Sequence, residues 1–178
     1  VGAYVLCDGA LRGTEAEGGL AATVVGLYER GIATGSLSKL GLSGLRIGWL
    51  IAEPVVVRKC WEYKDYTTLS HSGISEYLAA ATLEGEGAAE LFRRVRNVVR
   101  DRLEIMDDWI QANSQFLVWT RPKAGPTAFL KYSLPLDDLR LAEGLLDREG
   151  VLVSPGNFFG SPGHIRVRYS CQKEILVD

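Results

Sequence analysis

At 178 residues and 47% hydrophobic content the chain can bury a core, and its formal charge of -2 gives no general attraction to nucleic acid or to an anionic membrane. No apolar run approaches the roughly 20 residues of a membrane helix. Cys7, Cys60 and Cys171 are odd in number and widely spaced, and His71 and His164 lie far apart, so neither a disulfide framework nor a metal-ligand spacing is visible. A reducing, cytoplasmic setting without a metal is the expectation.

Ala3 to Cys7 is a continuous apolar run ending at Asp8, the pattern of a strand buried on both faces of a parallel sheet. It starts almost at once, with no initiator methionine and no signal peptide before it, so the chain is expected to begin inside a domain. Gly18 to Tyr28 places Leu20, Val24, Val25 and Tyr28 at helical spacing, with Gly31 as the stop. Ile32 to Leu37 and Ile47 to Ala52 read as the next two strands. Strand, helix, strand is α/β patterning. Asp8 and Lys39 then fall just past strand ends, where open α/β sheets bind ligands.

Pro54 suits the first turn of a helix reaching about Tyr63, and Ser72 opens another through Leu83. From Ala88 to Ile110 the apolar residues, Leu91 and Phe92 through to Trp109 and Ile110, keep helical spacing over several turns. Arg93, Arg94, Arg96, Arg100 and Arg102 make this helix basic, which reads as a solvated face. Beyond Gln111 the pattern shifts to short strands at 116–120, 127–132, 151–153 and 165–169, with one helix from Leu139 to Glu149 stopped by Gly150. Between the last two strands lies the turn-rich Ser154-Pro155-Gly156-Asn157-Phe158-Phe159-Gly160.

One stretch stands out: Gly35-Ser36-Leu37-Ser38-Lys39-Leu40-Gly41-Leu42-Ser43-Gly44-Leu45-Arg46-Ile47-Gly48-Trp49. An exposed lysine, with a pKa of about 10.4, is a poor nucleophile at neutral pH. Partly desolvated beside another cation, it sheds its proton more easily and can form a Schiff base with a carbonyl. Arg46 is available as that cation. Ser36, Ser38 and the loop amides, with Arg46, suit a phosphate group. The bland alternative is a surface lysine in a flexible loop beside a structural arginine.

Ser-Leu-Ser-Lys, a glycine-rich turn and Gly-Leu-Arg-Ile-Gly-Trp resemble the lysine segment of the fold-type I, class I/II pyridoxal-phosphate aminotransferases. Here Arg46 follows Lys39 by one residue fewer than in the family pattern. The resemblance runs over nearly the whole chain and corresponds to the C-terminal half of such an enzyme. It implies that residues 1–105 form the C-terminal part of a large α/β domain with a mostly parallel sheet. Residues 106–178 would form a small α+β domain. It further implies pyridoxal 5'-phosphate as cofactor, an amino acid and a 2-oxo acid as substrates, and a homodimer, with neither nucleic acid nor membrane as partner.

Residue by residue, the resemblance gives Lys39 the Schiff base and the proton transfers, and Ser36, Ser38 and Arg46 the phosphate. Asp8 would pair with the ring nitrogen, although a strand-end aspartate also commonly caps a turn. Leu11 stands where the family has a tyrosine, and Gly9 where an acidic residue is common. In His164-Ile165-Arg166-Val167-Arg168-Tyr169 the resemblance assigns the substrate carboxylate to Arg166. By period-two alternation Arg168 shares that face, so spacing alone does not choose between them. Tyr66 to Ser70 corresponds to a region that reaches the neighbouring subunit's active site, and Pro155 to Gly160 to a structural turn. A lyase, decarboxylase or cyclising synthase of the same fold would carry the same motifs. An aminotransferase-like effector domain of a transcription regulator, or an inactive copy, stays open beside them.

Overall fold

The computed structural model describes residues 2–177. The chain divides into two compact units, Val1–Asn97 and Val98–Asp178, and the division falls inside the long helix that the sequence pattern places astride residues 105–106.

The N-terminal unit is built on a three-stranded sheet in the order β1-β2-β3, with β1 at Val5–Asp8, β2 at Gly31–Ser36 and β3 at Gly48–Ile51. β1 and β2 are parallel, with Asp8 opposite Thr34, and β3 returns antiparallel to β2. Helices α1 (Pro54–Lys64) and α2 (Gly73–Leu83) follow, and α3 (Gly87–Ala112) begins in this unit. Pro54 occupies the start of α1, where its missing N–H costs nothing. The core under the β2–β3 connection is Leu37, Leu40 and Ala79. Against it pack Leu42, Leu45, Ile47, Leu83, Leu91, Phe92 and Val95.

The C-terminal unit carries an antiparallel sheet in the order β4-β5-β7-β6. Its strands are β4 (Leu117–Trp119), β5 (Thr127–Tyr132), β6 (Ser154–Pro155) and β7 (His164–Arg168). β5 alternates strictly: Ala128, Leu130 and Tyr132 are buried, and Thr127, Phe129 and Lys131 are not. Helix α4 (Asp138–Glu149) lies against β6 and β7. The Asp137 side chain caps its first turn and Gly150, at φ 68°, ends it. A short α5 (Lys173–Val177) follows.

Four expectations need correcting. The 18–28 segment is turns, not a helix, because Gly18 and Gly26 sit at φ 71° and 84° and break the helical path that the apolar spacing suggested. Among the described residues β1 is not covered on both faces: it lies at the edge of their sheet, and its Val5 and Leu6 are 46% and 66% exposed. Residues 151–153 form no strand, and pairing with β7 starts only at Ser154. The basic face of α3 is not uniformly solvated. Arg96 donates to the carbonyls of Glu15 and Gly18, and Arg102 to that of Cys171. Among the described residues no helix is long and apolar enough to cross a membrane.

Candidate active site

In the N-terminal unit the predicted residues collect at the carboxyl ends of β1 and β2 and on the loop that follows. Asp8 closes β1. Its Oδ1 accepts the Ala10 N–H at 2.9 Å and the Thr34 hydroxyl at 3.3 Å, so the turn-cap role is real, yet the side chain stays exposed. Two residues beyond Thr34, Ser36 ends β2. Its Oγ accepts the Ser38 N–H at 3.0 Å and donates to the Ile47 carbonyl at 3.4 Å. Asp8 is thereby tied to β2 through Thr34, and Ser38 to Ser36 at the end of that same strand.

The loop is amphipathic residue by residue. Leu37, Leu40, Leu42, Leu45 and Ile47 turn inward to the core under the loop. Lys39, Ser43 and Arg46 are left facing solvent. Leu37 N–H donates to the Ile47 carbonyl at 3.1 Å, which closes the loop at its neck. Lys39 sits in a one-turn 3-10 segment, Ser38–Leu40, ended by Gly41 at φ 88°. Among the described residues its amine has no hydrogen-bond or ion-pair partner. Arg46 lies at φ 56°, a left-handed conformation costing a non-glycine residue about 1–2 kcal/mol. Its guanidinium donates to the Ser43 carbonyl at 3.2 Å. Strain of this kind concentrates at functional sites.

Gly9 has a local reason, and nothing in the structure explains the leucine at position 11. A Cβ on Gly9 would lie 2.4 Å from the Thr34 carbonyl oxygen, which accepts the Gly9 N–H. Leu11 is 44% exposed, and its carbonyl accepts the Thr14 hydroxyl at 2.6 Å.

Arg166 belongs to the C-terminal unit. On β7 it pairs with Phe129 of β5 and Ser154 of β6. Its guanidinium carbon lies 5.4 Å from the centre of the Phe159 ring, and with Thr127, Ala128, Phe129, Phe159 and Ser161 it lines a cavity of about 360 Å³. Arg168 shares the alternation but is turned to the Ser170 hydroxyl at 3.4 Å. The environment therefore separates two arginines that sequence spacing left equivalent.

Sequence reasoning missed Asp138. This carboxylate is 2% exposed, and every bond to it comes from the C-terminal unit. Oδ1 accepts the Tyr132 hydroxyl and the Gly163 N–H, both at 2.7 Å, and Oδ2 the Asn157 N–H at 2.9 Å. The Tyr132 hydrogen bond, aided by the two backbone donors, holds the Asp138 carboxyl below its ordinary value even though burial opposes this. Burial, then the bond to Asp138, pushes the Tyr132 hydroxyl up to about 12. The available sign was an acidic pair, Asp137-Asp138, at a helix start, where one residue suffices as cap.

The family model described as aminotransferase class I and II matches residues 1–176. Capreomycidine synthase of Streptomyces vinaceus is 34% identical over 149 residues, covering 83% of this chain and 38% of its own. The crystal structure of a PLP-dependent aminotransferase from Streptococcus suis 89-1591 superposes with TM-score 0.91 at 31% identity, over 99% of this chain and 46% of that one. That of the PLP-dependent cyclase OrfR superposes with TM-score 0.87 at 26% identity, over 97% and 47%. The chain thus spans less than half the length of each of these relatives.

Proposed function

The chain belongs to the aminotransferase class I and II family, and on that premise we propose that the protein is a pyridoxal-phosphate-dependent aminotransferase acting on an amino acid and a 2-oxo acid. The observation that carries the reading is Lys39: an outward-facing amine, without a partner among the described residues, just past a strand end, on a loop whose other outward side chains are hydroxyls and a guanidinium. The donor set fits the cofactor. A carboxylate at the end of β1 suits a ring nitrogen, and Ser36, Ser38 and Arg46 suit a phosphate.

Pyridoxal phosphate, when bound, supplies an aldehyde with which an amine condenses and a ring that withdraws electrons from the substrate's Cα. Lys39 Nζ offers the amine for that condensation. As a free amine, Lys39 would also be the base placed to hold the proton from the substrate's Cα. Asp8 would offer the ring nitrogen an anion that keeps it protonated; its bonds from Ala10 and Thr34 set the carboxylate's direction. Ser38 would offer its hydroxyl to the phosphate and Arg46 would neutralise it; the Ser36 hydroxyl, which donates to the Ile47 carbonyl in this structure, would turn from that bond to join them. Arg166 takes the substrate carboxylate by its planar fork, with the Phe159 ring beneath it. We assign the cofactor part to residues 1–105 and the small domain to 106–178. We also propose a homodimer, in which a second copy would cover the exposed Trp61, Tyr66, Ile74 and Tyr77.

A second reading has one specific support. Capreomycidine synthase and the cyclase OrfR are both similar to this chain, so a cyclising synthase on the same residues is the competing assignment. The full-length protein, given pyridoxal phosphate, L-amino acids and 2-oxoglutarate, separates the two. Accumulation of L-glutamate is expected for transamination. Consumption of an amino acid with no L-glutamate formed would favour the cyclase or lyase reading.

A further inference from the structure

In the C-terminal unit a chain of contacts runs from a buried carboxylate to an exposed guanidinium. Asp138 takes one N–H from each end of the 157–163 loop, Asn157 on Oδ2 and Gly163 on Oδ1. The loop itself has little room. A Cβ on Gly156 would lie 2.2 Å from the Ser161 carbonyl and 2.6 Å from that of His164. Within this closed loop Phe159 ends a 3-10 turn. Its ring meets Phe129 edge to face, centres 5.9 Å apart at 81°, while Phe129 stacks on His164 at 4.9 Å. The Arg166 guanidinium rests on that same Phe159 ring. The Phe159 ring, through the cation–π contact, limits where the planar fork can point.

We propose that Asp138 is a positioning residue for Arg166: by clamping both ends of the 157–163 loop it holds Phe159 as the platform on which the guanidinium rests, and so orients the fork for a ligand carboxylate. This rests on the proposed role of Arg166. The clamp is stiff because its carboxylate is fully engaged and shielded from solvent, and a third donor, the Tyr132 hydroxyl, ties it to the end of β5. Among the described residues Arg168, one alternation along, has no aromatic platform; it points to Ser170 and so provides an internal reference.

The test uses the full-length protein and phenylglyoxal, which attacks exposed guanidinium groups, with modification of Arg166 and Arg168 followed separately by mass spectrometry. Phe159→Leu removes the ring and Asp138→Asn turns one acceptor into a donor facing an N–H. Each is expected to raise the Arg166 rate roughly two- to fivefold, the scale of losing one exposed cation–π contact, and to leave Arg168 unchanged. The double variant should match the larger single effect, because both act through one platform. If the two arginines speed up together, Asp138 is only a general stabiliser and the proposal fails. No change at Arg166 in Phe159→Leu also overturns it. Protection of Arg166 by 2-oxoglutarate in the unmodified protein is a separate reading. Its absence would sink the carboxylate-binding role while leaving the clamp intact.

Discussion

In the N-terminal unit the outward residues Lys39 and Arg46 ride on a loop fixed from beneath by Leu37, Leu40, Leu42 and Leu45. In the C-terminal unit Arg166 rides on a strand, and the loop beside it is fixed by one buried carboxylate. The first arrangement is apolar and tolerant: a leucine anchor loses packing when altered but leaves no polar group stranded. The second is all or nothing, because removing a buried acceptor leaves its donors unsatisfied. The comparison predicts that outward residues of the first unit can be changed for function at little structural cost, whereas the second unit depends on a residue that touches no ligand.

The largest effect is expected at Lys39. Lys39→Ala in the full-length protein should cut amino-acid turnover by about 10²–10⁴-fold or more, the scale of losing a positioned acid/base. Its thermal midpoint should stay close to the parent's, since the side chain is exposed and has no partner among the described residues. A large fall in the midpoint would break the contrast between the units.

Next comes Asp138→Ala, which strands two backbone N–H groups and the Tyr132 hydroxyl. Denaturant unfolding should show a loss of about 3 kcal/mol, mid-range for losing charged hydrogen bonds while leaving buried donors unmet. The same carboxylate sets an acid limit. Its folded pKa lies below its ordinary 3.8, so its contribution is complete above about pH 4 and is lost as pH falls through the lower, folded value. Tyr132 acts in the opposite direction. Raised from 10.0 to about 12, its neutral form stabilises the fold below pH 10 and the contribution drains away as pH climbs toward 12. Stability measured against pH should flatten at the acid end in Asp138→Asn.

A smaller loss is expected where the local backbone rejects a side chain. Gly9→Asp would restore the acidic residue common at this position in the resembled family. Its Cβ would, however, collide with the Thr34 carbonyl at 2.4 Å. We expect destabilisation of about 1–3 kcal/mol, the range for overpacking, measured by unfolding of the full-length protein. Arg46→Gly should do the reverse. Relief of the left-handed strain is worth about 1 kcal/mol of added stability, while loss of the guanidinium weakens pyridoxal-phosphate binding in equilibrium dialysis. Stability and affinity moving in the same direction would contradict the idea that strain is kept there for binding.

What the sequence revealed follows the same divide. The Ser36–Trp49 stretch stood out because its serines, lysine, glycines and arginine resemble the family's lysine segment, while the inward packing of its leucines came only with the structure. In the second unit the strands at 117–119, 127–132 and 164–168 and the Leu139 helix, stopped by Gly150, were legible, whereas β6 at Ser154–Pro155 lay inside the expected loop and the strand expected at 151–153 does not form. Asp138 was not, since a buried aspartate looks the same in sequence as its exposed neighbour Asp137, and only the folded loop brings Asn157 and Gly163 to it. The helix expected at 18–28 failed because apolar spacing was weighed above Gly18 and Gly26. The covering expected over β1 failed because a continuous apolar run says that a strand can be buried, not that the described chain supplies the cover.

The central claim is that Lys39 is the amine that bonds the cofactor. It is tested most directly by borohydride reduction of the full-length protein with pyridoxal phosphate, followed by peptide mass spectrometry. The account predicts one stoichiometric label, on Lys39, absent from Lys39→Ala. A label carried instead by Lys59 or Lys64, with Lys39 unmodified, would contradict it.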